Sequence, residues 1–232
     1  MRFGVVVFPG SNCDRDAYKA LHDVMGFPVE MLWHKDPDLR GVEAIVLPGG
    51  FSYGDYLRSG ALAKFSPVMD SVRSLVDQGG FVLGICNGFQ VLCESGLLPG
   101  ALRRNVGGRF ICKNVYLAPE VKPESPTTSL RGQNVLKIPI AHSEGAYYAD
   151  KETLSSLRHH EQILFRYCEP NGEVRESANP NGAIDNIAGI CSRNKRVIGM
   201  MPHPERASSV LQGNTDGLKI LRSICAFWDS LK

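Results

Sequence analysis

Short apolar runs alternate with helical spacing through the first third of the chain. Phe3 to Phe8, Val29 to Trp33, Ala44 to Leu47 and Phe81 to Ile85 are largely apolar and too short for helices, so each reads as a strand buried on both faces. Between them, Asp14 to Met25 and Leu62 to Gln78 carry helical periodicity. Strand alternating with helix predicts a parallel sheet covered by helices. In such sheets the ligand crevice lies beyond the carboxyl ends of the strands. Turn residues crowd three of those ends, at Pro9-Gly10-Ser11-Asn12, Pro48-Gly49-Gly50-Phe51 and Cys86-Asn87-Gly88, and these loops are expected to converge.

Past Gly100 the pattern changes. Arg109 to Leu117, Val135 to Ile140, Ile163 to Cys168, Ile184 to Cys191 and Val197 to Met201 read as strands, with Asn171-Gly172 and Asn181-Gly182 as tight connections between them. An amphipathic helix from about Thr215 to Leu231 ends the chain. Pro119 to Gly132, rich in proline, serine and threonine, reads as a mobile surface loop. The expected architecture is an α/β fold: a mostly parallel sheet flanked by helices, with additional antiparallel strands in the C-terminal half. With no repeat or linker in view, residues 1–232 are expected to form a single domain.

Composition narrows the function. The 26 lysines and arginines nearly balance 24 aspartates and glutamates, giving a net charge of +2 without runs of one sign, which argues against nucleic acid or an anionic membrane as partner. No apolar stretch is long enough to cross a membrane, and no leader is evident. The 7 cysteines are dispersed and contain no C-x-x-C pair. Neither a disulfide framework nor a zinc ribbon fits, so the expectation is a reducing cytoplasm, no bound metal, and cysteines that mostly fill core.

Cys86 is the exception. It sits where a strand turns sharply into a helix, flanked two residues away on each side by Gly84 and Gly88, which is a nucleophile elbow with cysteine in place of serine. The glycines remove side chains where strand and helix crowd together. The helix start directs unpaired N–H groups and partial positive charge at the sulfur, a field that favours a thiolate.

A cysteine nucleophile needs a general base that can later serve as acid. Of the 6 histidines, His22 and the His159-His160 pair lie on or near helices, while His34 and His142 follow strand patterns without a visible partner. His203 lies in Pro202-His203-Pro204-Glu205 directly after a strand. Pro204 biases it toward extended geometry, and residues two apart in an extended segment face the same side. Glu205 can therefore orient the imidazole while the other ring nitrogen faces the thiol.

In order and spacing, Pro48-Gly49-Gly50, Gly84-x-Cys86-x-Gly88-x-Gln90 and His203-Pro204-Glu205 resemble the triad, or class I, glutamine amidotransferases. Phe8 to Asp14, Gly49 to Arg58, Ile140 to Gly145, Asn179 to Gly182 and Asn186 to Ile190 are similar to the branch of that family that works as a separate subunit in de novo purine synthesis. The likeness runs over almost the whole chain and departs at Ala146-Tyr147, where a basic or polar residue is expected. The resemblance implies a flavodoxin-like fold with Cys86, His203 and Glu205 as the triad. It also implies an oxyanion hole from backbone N–H groups of Asn87 and of the Gly50-Phe51 turn, and a glutamine cradle at Gln90, His142 and Ser143.

The implied activity is hydrolysis of glutamine to glutamate and ammonia. The ammonia passes to a large ATP-dependent synthetase subunit, accompanied by a small accessory subunit, which converts formylglycinamide ribonucleotide to its amidine. Amide activation needs ATP, yet this chain has no G-x-x-x-x-G-K-[ST] phosphate loop. ATP and magnesium are accordingly expected on the partner, and no cofactor on this chain. The competing readings are a class I glutaminase for another pathway, a γ-glutamyl hydrolase, a non-catalytic partner-binding subunit on the same fold, and a dinucleotide-binding protein. The last lacks a G-x-G-x-x-G after Phe8.

Overall fold

The computed structural model describes residues 1–232. Strand β1 (Phe3–Val7) is buried almost throughout, as an apolar run needs, and pairs in parallel with β2 (Val29–Trp33) on one side and β3 (Ala44–Leu47) on the other. β4 (Phe81–Ile85) continues the parallel set beyond β3. The remaining strands are β5 (Ala101–Arg103), β6 (Ile111–Pro119), β7 (Leu136–His142), β8 (Ala146–Tyr148), β9 (Ile163–Cys168), β10 (Ile187–Cys191) and β11 (Val197–Met200). The nine-stranded sheet has the order β2-β1-β3-β4-β11-β10-β9-β6-β7, with β5 and β8 forming a separate pair. Pairing is parallel from β2 across to β11 and antiparallel from there to β7.

The helices are α1 (Asp14–Lys19), which continues into a π-helical turn at Ala20–Val24, α2 (Val68–Asp77), α3 (Asn87–Glu94), α4 (Lys151–His159) and α5 (Asp216–Ser230). One cluster of 56 buried residues joins the sheet to its helices. None of the helices is long and apolar enough to cross a membrane.

Four expectations are corrected. The helix read over Leu62 to Gln78 is broken: Ala63–Phe65 form a short 3-10 turn, Ser66 is extended at ψ 138°, and α2 starts only after Pro67. Proline disfavours the helical region for the residue before it, yet suits a helix start. The strand read from Ile184 begins at Ile187, because Ile184–Asn186 form a 3-10 turn with Asp185 and Asn186 at positive φ. Asn171-Gly172 makes a local turn and Asn181-Gly182 another, but neither joins two strands directly. The Pro119 to Gly132 segment is tied down: Ser125 and Thr127 are buried and hydroxyl-bonded to each other, and Ser223 of α5 donates to the Pro126 carbonyl at 2.7 Å. Its hydroxyls serve internal turns instead of solvent.

Candidate active site

β4 ends at Ile85 and α3 begins at Asn87, so the turn between them is a single residue wide. Cys86 therefore adopts φ 50° and ψ −105°. A non-glycine residue held there costs about 1–3 kcal/mol, which the surroundings must offset. The Cys86 N–H donates to the Met200 carbonyl at 2.7 Å, fastening the elbow to β11. The flanking glycines follow from space: a Cβ on Gly84 would fall 2.6 Å from the Gly88 carbonyl oxygen, and one on Gly88 would collide with the Leu47 carbonyl. Cys86 is only 4% exposed, with its sulfur 3.7 Å from the Ala141 carbonyl oxygen.

Asn87 is the first residue of α3, where a helix leaves N–H groups unpaired, so its amide is available beside the sulfur. Its side chain has a second task. Oδ1 accepts from the Ser52 N–H at 3.2 Å, while Nδ2 donates to Asp55 Oδ1 at 3.2 Å and to Gln90 Oε1 at 2.8 Å. The segment following β3 is thereby pinned to the elbow. Gly50 has φ 119°, and a Cβ on it would lie 2.6 Å from the Asn12 nitrogen; Ser11 and Gly50 also form an isolated β-bridge. The loops after β1, β3 and β4 thus meet, and the Phe51 ring, stacked on Phe110 at 6.3 Å, faces outward beside them.

His203 follows β11, its N–H donating to the Pro139 carbonyl at 2.9 Å. Pro204–Ala207 is a 3-10 turn, so Glu205 reaches back to the imidazole through that turn instead of by the alternation of an extended segment. His203 Nδ1 and Glu205 Oε1 are 2.6 Å apart, and both side chains are essentially inaccessible. Burial pushes His203 toward its neutral form. The Glu205 carboxylate and the neighbouring Cys86 and Cys13 sulfurs outweigh burial and hold the imidazole protonated well above the ordinary histidine range. His203 Nε2 and Glu205 Oε2 are buried without a hydrogen-bond partner.

The three residues expected to cradle glutamine are placed differently from one another. Gln90 is buried and bridges α3 to the next turn, its Nε2 donating to the Glu144 carbonyl at 2.5 Å. His142 lies buried beneath Gly145: its Nδ1 is 3.1 Å from Asn105 Oδ1 and its Nε2 3.4 Å from Asn181 Nδ2. Burial, reinforced by the charge on His203, pushes His142 down to about 4, so it stays neutral near pH 7. Ser143 is partly exposed at the same turn, and its carbonyl accepts from the Asn105 N–H at 2.9 Å.

Sequence reasoning passed over Cys13, Arg206, Asp55 and the pinning role of the Asn87 side chain. One ligand atom each of Cys13, His203 and Glu205 lies within 4.8 Å of the others, a spacing that could hold a metal. The Arg206 guanidinium donates to Cys13 Sγ at 3.1 Å, and Glu205 is engaged by the imidazole, so cationic partners already serve this set. Arg206 adjoins the His203-Pro204-Glu205 motif, and that position was the available signal.

A cysteine on a strand-turn-helix elbow, with an imidazole–carboxylate pair beside it and a free helix N–H, is an arrangement on an α/β fold in which a cysteine nucleophile could act. The chain belongs to the CobB/CobQ-like glutamine amidotransferase domain family, whose model matches residues 1–220. It is 55% identical over 224 residues to the phosphoribosylformylglycinamidine synthase subunit PurQ of Koribacter versatilis, covering 97% of each chain. Against the protein of the same name from Acaryochloris marina it is 54% identical over 224 residues, covering 97% of this chain and 95% of that one. A chain in the structure of PurLQS from Thermotoga maritima superposes with a TM-score of 0.82 at 40% identity, covering 97% of this chain and 98% of that chain.

Proposed function

We infer that this chain is the glutaminase subunit of a phosphoribosylformylglycinamidine synthase, hydrolysing glutamine and passing ammonia to an ATP-dependent synthetase subunit in purine biosynthesis. The observation that carries the reading is the elbow cysteine Cys86 set beside the buried His203–Glu205 pair, in a chain similar over nearly its full length to PurQ proteins.

The Cys86 thiolate attacks the side-chain carboxamide carbon of glutamine, forming the C–S bond and a tetrahedral oxyanion. Backbone N–H groups of Asn87 and of the Gly50-Phe51 turn receive that charge. One such donor is typically worth about 2.7–4 kcal/mol in the transition state. Protonated His203, oriented by Glu205, gives its proton to the departing nitrogen as the C–N bond breaks, leaving ammonia and a glutamyl thioester. His203, now neutral, takes a proton from water as the hydroxide adds to the thioester. Collapse returns the Cys86 thiolate and glutamate. Gln90 braces α3 against the Ser143 turn, and His142 supports that turn from beneath, so these residues shape the cradle.

Amidine formation belongs to the partner, where ATP and magnesium would bind. A large synthetase subunit and a small accessory subunit complete the assembly, and its place is the cytoplasm. The test is glutamine turnover by the assembled complex carrying Cys86→Ala: loss of turnover is expected, and retained turnover would overturn the reading.

A further inference from the structure

A second sulfur lies against the catalytic pair. A Cβ placed on Gly49 would fall 2.6 Å from His203 Cε1 and 3.3 Å from both Cys13 Sγ and Cys86 Cβ, so one small gap is walled by all three residues. Cys13 is itself 2% exposed. Its sulfur lies 3.2 Å from Asn12 Oδ1, an acceptor for the S–H, and receives the Arg206 Nη2 donor at 3.1 Å. Arg206 in turn is anchored through Nε to Asp16 Oδ2 of α1 at 3.0 Å. A chain of contacts therefore runs from α1 through Arg206 and Cys13 to the imidazole. At its end sits a buried His203 Nε2 with no hydrogen-bond partner.

We propose that Cys13, held by Asp16 and Arg206, is a positioning residue that fixes the His203 ring and favours its protonated form during departure of ammonia. A polarisable sulfur with a lone pair beside the ring stabilises imidazolium more than imidazole, and the Arg206 donor keeps that sulfur from rotating away. The other groups facing His203 are Glu205 on its own turn, Cys86 on the elbow and His142 on β7, with Arg206 acting on Glu205 and Cys13 together. Cys13 stands at the N-cap of α1 and not on the strand-turn-helix elbow, with its sulfur already engaged by Asn12 and Arg206, which distinguishes its part from that of a nucleophile. This proposal rests on the reading of Cys86, His203 and Glu205 as the triad.

The test uses the assembled complex carrying Cys13→Ala, Cys13→Ser or Arg206→Gln, and measures glutamine-dependent synthesis against pH. Ammonia-dependent synthesis by the same preparations reports that the complex is intact. Cys13→Ala is expected to lower kcat about 10-fold, roughly 1.4 kcal/mol in the barrier, with KM for glutamine little changed. The alkaline limb of the kcat profile, where His203 loses its proton, should move to lower pH. Cys13→Ser, which keeps a lone pair, should lie closer to wild type, and Arg206→Gln, which removes the donor that anchors the Cys13 sulfur and opens no cavity, should lower kcat with KM little changed. An unmoved limb in a Cys13→Ala complex that retains ammonia-dependent synthesis overturns the proposal. If Cys13→Ala does not assemble, Arg206→Gln decides: an unchanged kcat in a complex that retains ammonia-dependent synthesis overturns it. Survival of glutamine turnover in Cys86→Ala would instead sink the underlying triad reading.

Discussion

At the scale of single residues, the roles proposed for Cys86, His203 and Glu205 can be separated by substitution. A glutamine-analogue electrophile should label Cys86 and spare Cys93, whose thiol is pushed far up by burial and by Glu94. A peptide map with the label chiefly elsewhere would remove Cys86 from the mechanism. His203→Ala should cost about 10²–10⁴ in glutamine turnover, the range of a general acid–base group, and more than Glu205→Gln, because the first removes the proton carrier and the second its orientation and charge support. Equal, wild-type-like rates in both would exclude His203. The elbow at Cys86 and the contact between His203 and Glu205 were legible in the sequence because both come from local motifs. Cys13 and Arg206 were not: they lie 193 residues apart in sequence, and only folding puts the guanidinium on the sulfur.

At the scale of elements, the apolar runs marked β1, β3 and β4 well, since a strand covered on both faces has no other way to be written, whereas Val29 to Trp33, read the same way, is the edge strand β2 and only partly buried. What escaped was decided by single residues or by partners: Pro67 splitting a helix, positive φ at Asp185 and Asn186 delaying β10, and the short β5–β8 pair. The elbow itself can be tested. Gly88→Ala drives a Cβ into the rigid Leu47 carbonyl, and overpacking of this kind costs about 1–3 kcal/mol or more. A lower melting temperature together with reduced alkylation of Cys86 is expected, and wild-type values for both would refute the crowding argument. The turn between β7 and β8 makes a pH prediction. His142 remains neutral in the folded chain down to about pH 4, whereas an unfolded histidine takes up its proton near 6.5, so acid favours the unfolded state between those values. Stability attributable to His142 is therefore complete above pH 6.5 and falls by about 3 kcal/mol as pH drops to 4. In paired denaturant titrations, His142→Gln should show a shallower decline over that window. Parallel declines would show that His142 is not the group responsible.

At the scale of the whole molecule, the candidate site is closed, and the groups proposed to react are buried. Cys86 and His203 are 4% and 1% exposed, although glutamine must reach both. The segment pinned by Asn87 carries Tyr53, Asp55 and Leu57 at positive φ, and Tyr56 and Leu57 project outward at 72% and 88% exposure. Strained backbone bearing apolar side chains next to the Gly50-Phe51 turn is well suited to shift when a partner covers it. The isolated chain should accordingly turn over glutamine slowly and speed up only in the complex with synthetase and nucleotide substrate bound. Ammonia is mostly protonated, and then not nucleophilic, near neutral pH, so a sealed route between subunits favours its transfer. It follows that a complex carrying Cys86→Ala should lose glutamine-dependent amidine formation yet still form amidine from an ammonium salt at alkaline pH, where free ammonia accumulates. Amidine is measured from both nitrogen sources in wild-type and variant complexes. If the lone chain already matched the complex in glutamine turnover, or if ammonia failed to rescue an assembled variant, division of the reaction between two subunits would be refuted.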